Sequence, residues 1–231
     1  MTGGPLVSVV VPVLDEATTL PGLLDHLAHL SGRWQIVIAD GGSIDGTAEL
    51  ATHHPARPAV VRAPRGRAAQ MNAGATAACG DALLFLHADT RLPLNAYASL
   101  RAALADPRVV GGNFALRFDG GDRFSRLLGA WYAVQRRAGA YYGDSAIWLR
   151  RETFDRLGGF RPLAIMEDYD LVRRLERGGR TACLPGPAVT SARRWRRLGL
   201  PRTIASWVAI RWLYIAGVSP ARLARLYPNV R

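Results

Sequence analysis

Val7-Ser8-Val9-Val10-Val11-Pro12-Val13-Leu14-Asp15-Glu16 decides the fold. From Val7 to Pro12 the run is apolar apart from Ser8 and does not alternate, the pattern of a central strand covered on both faces. Two acids follow at once. The end of such a strand is where an open α/β sheet meets its ligands, so carboxylates placed there are candidates for holding a metal and a phosphorylated molecule.

The pattern repeats outward from this strand. Thr18 to Leu30 carries leucines at 20, 23, 24, 27 and 30, an amphipathic helical spacing with Pro21 in its first turn. Gln35 to Ala39 predicts a second strand, Asp40 to Thr47 its glycine-rich turn, and a helix follows from about Ala48. Ala59 to Arg62 predicts a third strand, Gln70 to Ala78 a helix, and Leu83 to Leu86 a fourth strand running into His87-Ala88-Asp89. Strand alternating with helix is the mark of a parallel, doubly wound sheet. After residue 90 the rhythm loosens. Val109 to Phe118 reads as an edge strand pair, Arg123 to Arg137 as a helix, Ala146 to Leu149 as a short strand and Arg151 onward as a helix. Glu167 to Arg177 reads as a charged helix and Thr203 onward as a terminal helical segment. One domain over residues 1–198, with a helical tail over 199–231 packed on it or at an interface, is the economical organisation.

Composition narrows the class. The chain has 231 residues and a net charge of +12, and its thirty basic residues are all arginine. A GC-rich coding sequence produces that usage by itself, yet the sign still favours anionic partners. Cys79 and Cys183 lie far apart without metal-ligand spacing, which makes a reducing cytosol the default. No signal peptide is expected, and Ile204 to Val218, interrupted by Arg211, is too short to span a bilayer.

Each chemical motif admits two readings. Asp40-Gly41-Gly42-Ser43-Ile44-Asp45-Gly46-Thr47 either lets backbone amides approach a nucleotide, with Asp40 accepting from base or ribose, or is a tight turn capped by Asp45 or Thr47. Asp89 suits a hard divalent cation, or simply ends a strand. Arg65-Gly66-Arg67 offers cations to a pyrophosphate, or is a solvated loop. Glu167 and Asp168 supply a general base, or are helix-start acids favoured by the macrodipole. Arg193-Arg194-Trp195-Arg196-Arg197 holds phosphate, an anionic membrane or nucleic acid, or is a solvated basic loop. Trp207, Ile210, Tyr214 and Val218 fall at helical spacing, for core packing, a dimer face or a membrane-interface helix.

Taken in order, these motifs resemble the inverting family 2 glycosyltransferases of the GT-A fold, over about residues 6 to 198. The correspondence runs through Val11 to Glu16, Ala39 to Thr47, Asn72-Ala73-Gly74, His87-Ala88-Asp89, Gly158-Gly159-Phe160, Glu167-Asp168 and Arg194-Trp195. More narrowly, Phe85 to Thr90, Tyr142 to Ser145, Met166 to Asp168, Ser191 to Trp195 and Gly217 to Pro220 look like a short subgroup found near radical-SAM and arsenosugar or selenium-related genes.

The resemblance implies a GT-A fold with one doubly wound mixed sheet flanked by helices. It implies a nucleotide-sugar donor, UDP-linked by first expectation, an unidentified acceptor, and Mn2+ or Mg2+ on Asp89. Pro12 and Glu16 would line the base and ribose pocket, Asp40 would pair with the base, and Arg67 would approach the pyrophosphate, with Asn72 and His87 also on the donor side. Asp168 would deprotonate the acceptor beside Glu167, and Asp144, Arg194 and Trp195 would border acceptor or diphosphate. Two departures stand out: Gly41 occupies the place of a second aspartate, and His87 replaces the first acid of an Asp-x-Asp pair. A cytoplasmic enzyme is expected, with peripheral contact at the inner membrane face through the basic cluster and tail, a homodimer as a further option, and no nucleic-acid partner. The rivals are a sugar nucleotidyltransferase, which needs a glycine-rich loop with Lys or Arg after strand one, and a non-catalytic basic binding module.

Overall fold

The run from Val7 to Val13 forms β1, and Val7, Val9, Val10 and Val11 are wholly buried, as an apolar strand covered on both faces must be. It belongs to a computed structural model that describes residues 3–192 and 199–226. The other strands are β2 (Trp34–Asp40), β3 (Ala59–Arg62), β4 (Ala82–Phe85), β5 (Thr90–Arg91), β6 (Val109–Phe118), β7 (Ile147–Arg150) and β8 (Arg180–Thr190). Among the described residues they make one sheet in the order β3-β2-β1-β4-β7-β6-β8-β5. β1 is parallel to β2 on one side and to β4 on the other, so the chain reverses its direction of winding beside β1. There the ends of β1, β2 and β4 open a crevice.

Alternate residues of β1 serve two cores. Val7, Val9, Val11 and Val13 pack with Leu20, Leu23, Leu24 and Leu27 of α1 (Leu20–Ala28), with Ala51 of α2 (Thr47–His53) and with Leu100 of α4 (Ala96–Leu104). Val10 packs on the opposite face with Met71 and Ala75 of α3 (Arg67–Ala77), Phe154 of α6 (Arg151–Leu157) and Leu171 of α7 (Glu167–Gly178). Truncating one of these buried leucines to alanine costs about 2–5 kcal/mol in a core of this kind. The carbonyls ending α3 are met by a side chain from far along the chain: Arg151 donates to Ala75 O, Ala78 O and Gly80 O.

Three sequence expectations change. The sheet is mixed, because β7 runs antiparallel to β4 and β6, as the resemblance implied and the strand-helix rhythm alone did not. Val109 to Phe118 is an interior strand, antiparallel to β7 and parallel to β8. Its Gly111-Gly112 pair permits that position, since a Cβ on Gly112 would lie 1.9 Å from Ala182 O. The third difference is β8, which no periodicity in the sequence marks. Its Pro185-Gly186-Pro187 looks like a turn, but the strand continues through it opposite a register shift between Phe114 and Leu116.

Helices α5 (Arg123–Arg137), α8 (Leu200–Ile215) and α9 (Pro220–Leu226) complete the fold. α5 and α8 pack side by side, with the Tyr132 and Trp207 rings 5.4 Å apart and Arg211 donating to Gln135. No helix among the described residues is long and apolar enough to cross a membrane.

Candidate active site

Val13 and Asp40 are paired neighbours in the sheet, so the two loops that follow them leave side by side. Polar contacts stitch these loops together. Asp15, in the left-handed region at φ 55, donates from its amide to Ser43 Oγ at 3.0 Å and accepts from Ile44 N at 3.0 Å. Glu16 N donates to Thr47 Oγ1 at 2.9 Å, and Ala17 N to Asp45 Oδ2 at 2.9 Å. Hydrogen bonds from the Thr47 hydroxyl and the Ala17 amide hold the Asp45 carboxyl below its ordinary range. Gly46 is the residue before α2, left-handed at φ 87, while Asp45 accepts from Thr47 N at 3.1 Å.

Asp40 is buried, and its oxygens accept from Gly42 N, Ser43 N and Ser43 Oγ. A carboxylate has about four acceptor positions. Here the turn itself engages them, so Asp40 shapes the loop from within. Pro12 and Glu16 stand half-buried at its edge. Gly41 has a structural reason. A Cβ there would come 2.9 Å from Gln70 Cδ, and Gln70 is buried, donating to Val13 O at 2.6 Å and Ala39 O at 3.1 Å.

A second group of residues converges from four separated segments. Arg67 is the first residue of α3, and its Nε lies 3.3 Å from Glu167 Oε1. Its guanidinium also contacts His87 Nε2, while His87 Nδ1 lies 3.0 Å from Asp144 Oδ1. Asp144 sits in a 3-10 turn, Gly143–Ser145, whose Gly143 N donates to Asp168 Oδ2 at 2.8 Å. Glu167 and Asp168 open α7, directly after Met166 in the left-handed region at φ 68. Glu167 is buried, and burial pushes its carboxyl above the usual range although Arg67 opposes the shift. Asp168 is less buried and faces the cleft. Gly143 is the keystone: a Cβ on it would meet His87 Nε2 at 2.7 Å and Arg67 at 3.2 Å.

The cleft lined by Arg67, Asp144, Glu167 and Asp168 has an aromatic wall of Tyr132, Tyr142 and Trp207, with Ile210 beside it. Burial raises the Tyr142 hydroxyl to about 12. Sequence reasoning missed Tyr132, Tyr142 and Gln70. The Tyr142-Gly143-Asp144 run was the one local signal for the tyrosine, and the helical spacing of Trp207 and Ile210 showed a packed face without showing what it packed on.

Asn72 clamps Phe160, donating to its carbonyl at 2.8 Å and accepting from its amide at 2.9 Å, so its amide fastens the Gly158-Gly159-Phe160 turn to α3. Asp89 is exposed just beyond β4, in a separate recess with Thr19, Arg91 and Ser191. Among the described residues no three His, Cys, Asp or Glu side chains gather into a metal site. One exposed carboxylate at a strand end still fits magnesium or manganese, which are bound through one or two carboxylates with substrate phosphates and water. His87 is engaged by Asp144 and Arg67 and is not arranged as a second ligand. Arg194 and Trp195 lie outside the described residues.

Known proteins resemble the chain in sequence and fold. The family model described as glycosyl transferase family 2 matches residues 8–164. The chain is 32% identical over 158 residues to an undecaprenyl-phosphate 4-deoxy-4-formamido-L-arabinose transferase of Aeromonas hydrophila, covering 63% of this chain and 48% of that protein. It is 36% identical over 94 residues to a PGL/p-HBAD biosynthesis glycosyltransferase of Mycobacterium tuberculosis, covering 38% of this chain and 37% of that one. The chain thus spans about half or less of the length of these relatives. Among solved structures, the mannosyltransferase PcManGT from Pyrobaculum calidifontis, in complex with GDP-Man and Mn2+, superposes with a TM-score of 0.62 at 25% identity, over 91% of this chain and 65% of that one. S. aureus TarS in complex with UDP-GlcNAc superposes with a TM-score of 0.63 at 13% identity, over 80% of this chain and 58% of that one, a likeness of fold. The fold is that of the GT-A glycosyltransferases, and this chain belongs to glycosyl transferase family 2.

Proposed function

We propose that this protein transfers a sugar from a nucleoside-diphosphate sugar to an acceptor hydroxyl with inversion, Asp168 acting as general base. The observation that carries the reading is the convergence of Arg67, His87, Asp144, Glu167 and Asp168 beside the β1/β4 crevice. The stitched loops after β1 and β2 form the base and ribose side of the donor site, with Pro12 and Glu16 at its edge and Asp40 holding its shape. Arg67, at the first turn of α3, offers a cation together with helix-start amides to the diphosphate.

The acceptor hydroxyl attacks the anomeric carbon as Asp168 takes its proton. The bond from that carbon to the diphosphate oxygen breaks in the same displacement, which inverts the configuration. Gly143 N holds the Asp168 carboxylate, and Glu167 fixes Arg67 beside it. Asp89 would hold a divalent cation, Mn2+ or Mg2+, which when bound neutralises the charge gathering on the departing diphosphate. The aromatic wall would receive the acceptor, with Asp144 at its border and the Arg194-Trp195 segment following β8 in sequence. Naming the sugar nucleotide UDP-linked, and placing the chain in the short subgroup near radical-SAM genes, rests on the sequence motifs. A nucleotidyltransferase gains no support, since Leu14-Asp15-Glu16 supplies neither the glycines nor the cation it needs after β1.

The test is release of nucleoside diphosphate from a panel of UDP- and GDP-sugars with candidate acceptors. Wild type should turn over at least one donor, and Asp168→Asn should lose about 10²–10⁴-fold in kcat, the range for a positioned proton acceptor. Undiminished turnover in Asp168→Asn would remove the assigned base.

A further inference from the structure

Helices α5 and α8 present an outward face that the reaction does not use. On α5, Leu127, Trp131 and Val134 follow one another at i, i+4 and i+7, and Leu127 and Val134 are 62% and 59% exposed. On α8, Val208, Trp212 and Ile215 repeat the same spacing, with Trp212 and Ile215 60% and 54% exposed. The helices are joined by Tyr132 on Trp207 and Gln135 on Arg211, and Trp131, Ile204 and Trp207 all pack against the buried cluster that holds Leu128 and Tyr132. The two stripes therefore flank one seam, as an exposed apolar patch larger than scattered surface residues.

Charge decides what covers it. Neither α5 nor the segment from Leu200 to Leu226 contains an acidic residue. Arg123, Arg126 and Arg137 are exposed on α5, and Arg202, Arg222 and Arg225 are exposed around α8 and α9. A second copy of this chain would bring like charges against like. An apolar stripe with a tryptophan, whose flanking charges are arginines apart from Asp122 at the start of α5, is instead the composition of a helix face lying in the headgroup region of an anionic bilayer. Neither helix spans the membrane. The same helices supply Tyr132, Trp207 and Ile210 to the Asp168 cleft, so a bilayer on this seam would lie beside the acceptor wall.

We propose that the α5/α8 seam docks the protein on an anionic phospholipid bilayer and that the acceptor is a membrane-held lipid. The choice of acceptor rests on the glycosyl-transfer reading above; the docking surface does not.

Flotation with phosphatidylcholine vesicles, with and without about 30 mol % phosphatidylglycerol, tests it at physiological salt. Wild type is expected to partition about tenfold more strongly onto the anionic vesicles. Val134→Asp/Trp212→Asp should fall to the neutral-vesicle level while keeping its thermal transition and nucleoside-diphosphate binding. Should that variant fold poorly, Arg126→Gln/Arg137→Gln/Arg222→Gln changes only exposed charges and should lose the anionic preference. Equal binding to both vesicle types, or unchanged binding in the variants, overturns the proposal. So does sedimentation equilibrium showing a wild-type dimer that the aspartate variant dissolves, which would give the seam to a second copy. Loss of the glycosyl-transfer reading would appear separately, as vesicle binding without turnover of any sugar nucleotide.

Discussion

The two halves of the cleft are built by opposite means. Around β1 and β2, each polar side chain is answered within a few residues or by the neighbouring loop: Asp40 by Gly42 and Ser43, Asp45 by Thr47 and Ala17, Asp15 by Ser43 and Ile44. Around α7, the groups that face the cleft are answered mainly from afar, although Asp168 also accepts from Tyr169 N and Asp170 pairs with Arg174 one turn on. Arg67 reaches Glu167, His87 reaches Asp144, and Asp168 is held by Gly143. The first half is rigid by local hydrogen bonding, as a surface receiving a fixed nucleotide needs to be. The second is held by side chains from distant segments and is sensitive to any one of them.

That contrast predicts separable defects. The largest should come from Gly143→Val. The added side chain would collide with His87 Nε2, where a Cβ alone already stands at 2.7 Å, and would displace Arg67 and the Asp168 support. A misplacement of about 1 Å costs on the order of 10²-fold in rate, so kcat should fall by that factor, with a smaller loss of donor affinity through Arg67. A loss of donor affinity as large as the loss in kcat would show that the halves are not separable.

Asn72→Ala should act on stability alone. It leaves the Phe160 amide and carbonyl without partners, a cost of about 1–3 kcal/mol visible as a lowered thermal midpoint. The KM for the sugar nucleotide should not change; a raised KM with unchanged stability would return Asn72 to the donor site.

Much of the first half was legible because its logic is local. An unbroken apolar run, a glycine turn and the leucine spacing of α1 each lie within one stretch of chain. β8 was not legible, because Pro185-Gly186-Pro187 forms a strand irregularity only when β6 lies beside it. The interior place of β6 depends likewise on Gly112 meeting Ala182. In the second half the sequence motifs marked Arg67, His87, Asp144, Glu167 and Asp168 as separate candidates. Their assembly depends on sheet order, and the aromatic wall depends on α8 folding back over α5, neither of which a periodicity encodes.

The smallest expected effect is on pH. The folded-state pKa of Glu167 is raised, chiefly by burial, above the ordinary value of 4.5. Between that ordinary value and the raised one the folded protein binds more protons than the unfolded chain, so its contribution to stability falls as pH rises through this window. Glu167→Gln should remove that slope, with a gain in thermal midpoint at neutral pH that vanishes at more acidic pH, where the glutamate is protonated in both states. A midpoint lowered at neutral pH would mean that the Arg67 pairing outweighs the burial.

The most direct test of the division of labour is calorimetric titration of UDP and GDP, with and without Mn2+, into wild type, Asp89→Ala and Asp168→Asn. Wild type and Asp168→Asn should bind one nucleotide with equal, metal-dependent affinity, and Asp89→Ala should lose the metal dependence. Binding abolished by Asp168→Asn, or unaffected by metal in wild type, would contradict the assignment of these two carboxylates to separate roles in a glycosyl-transfer site.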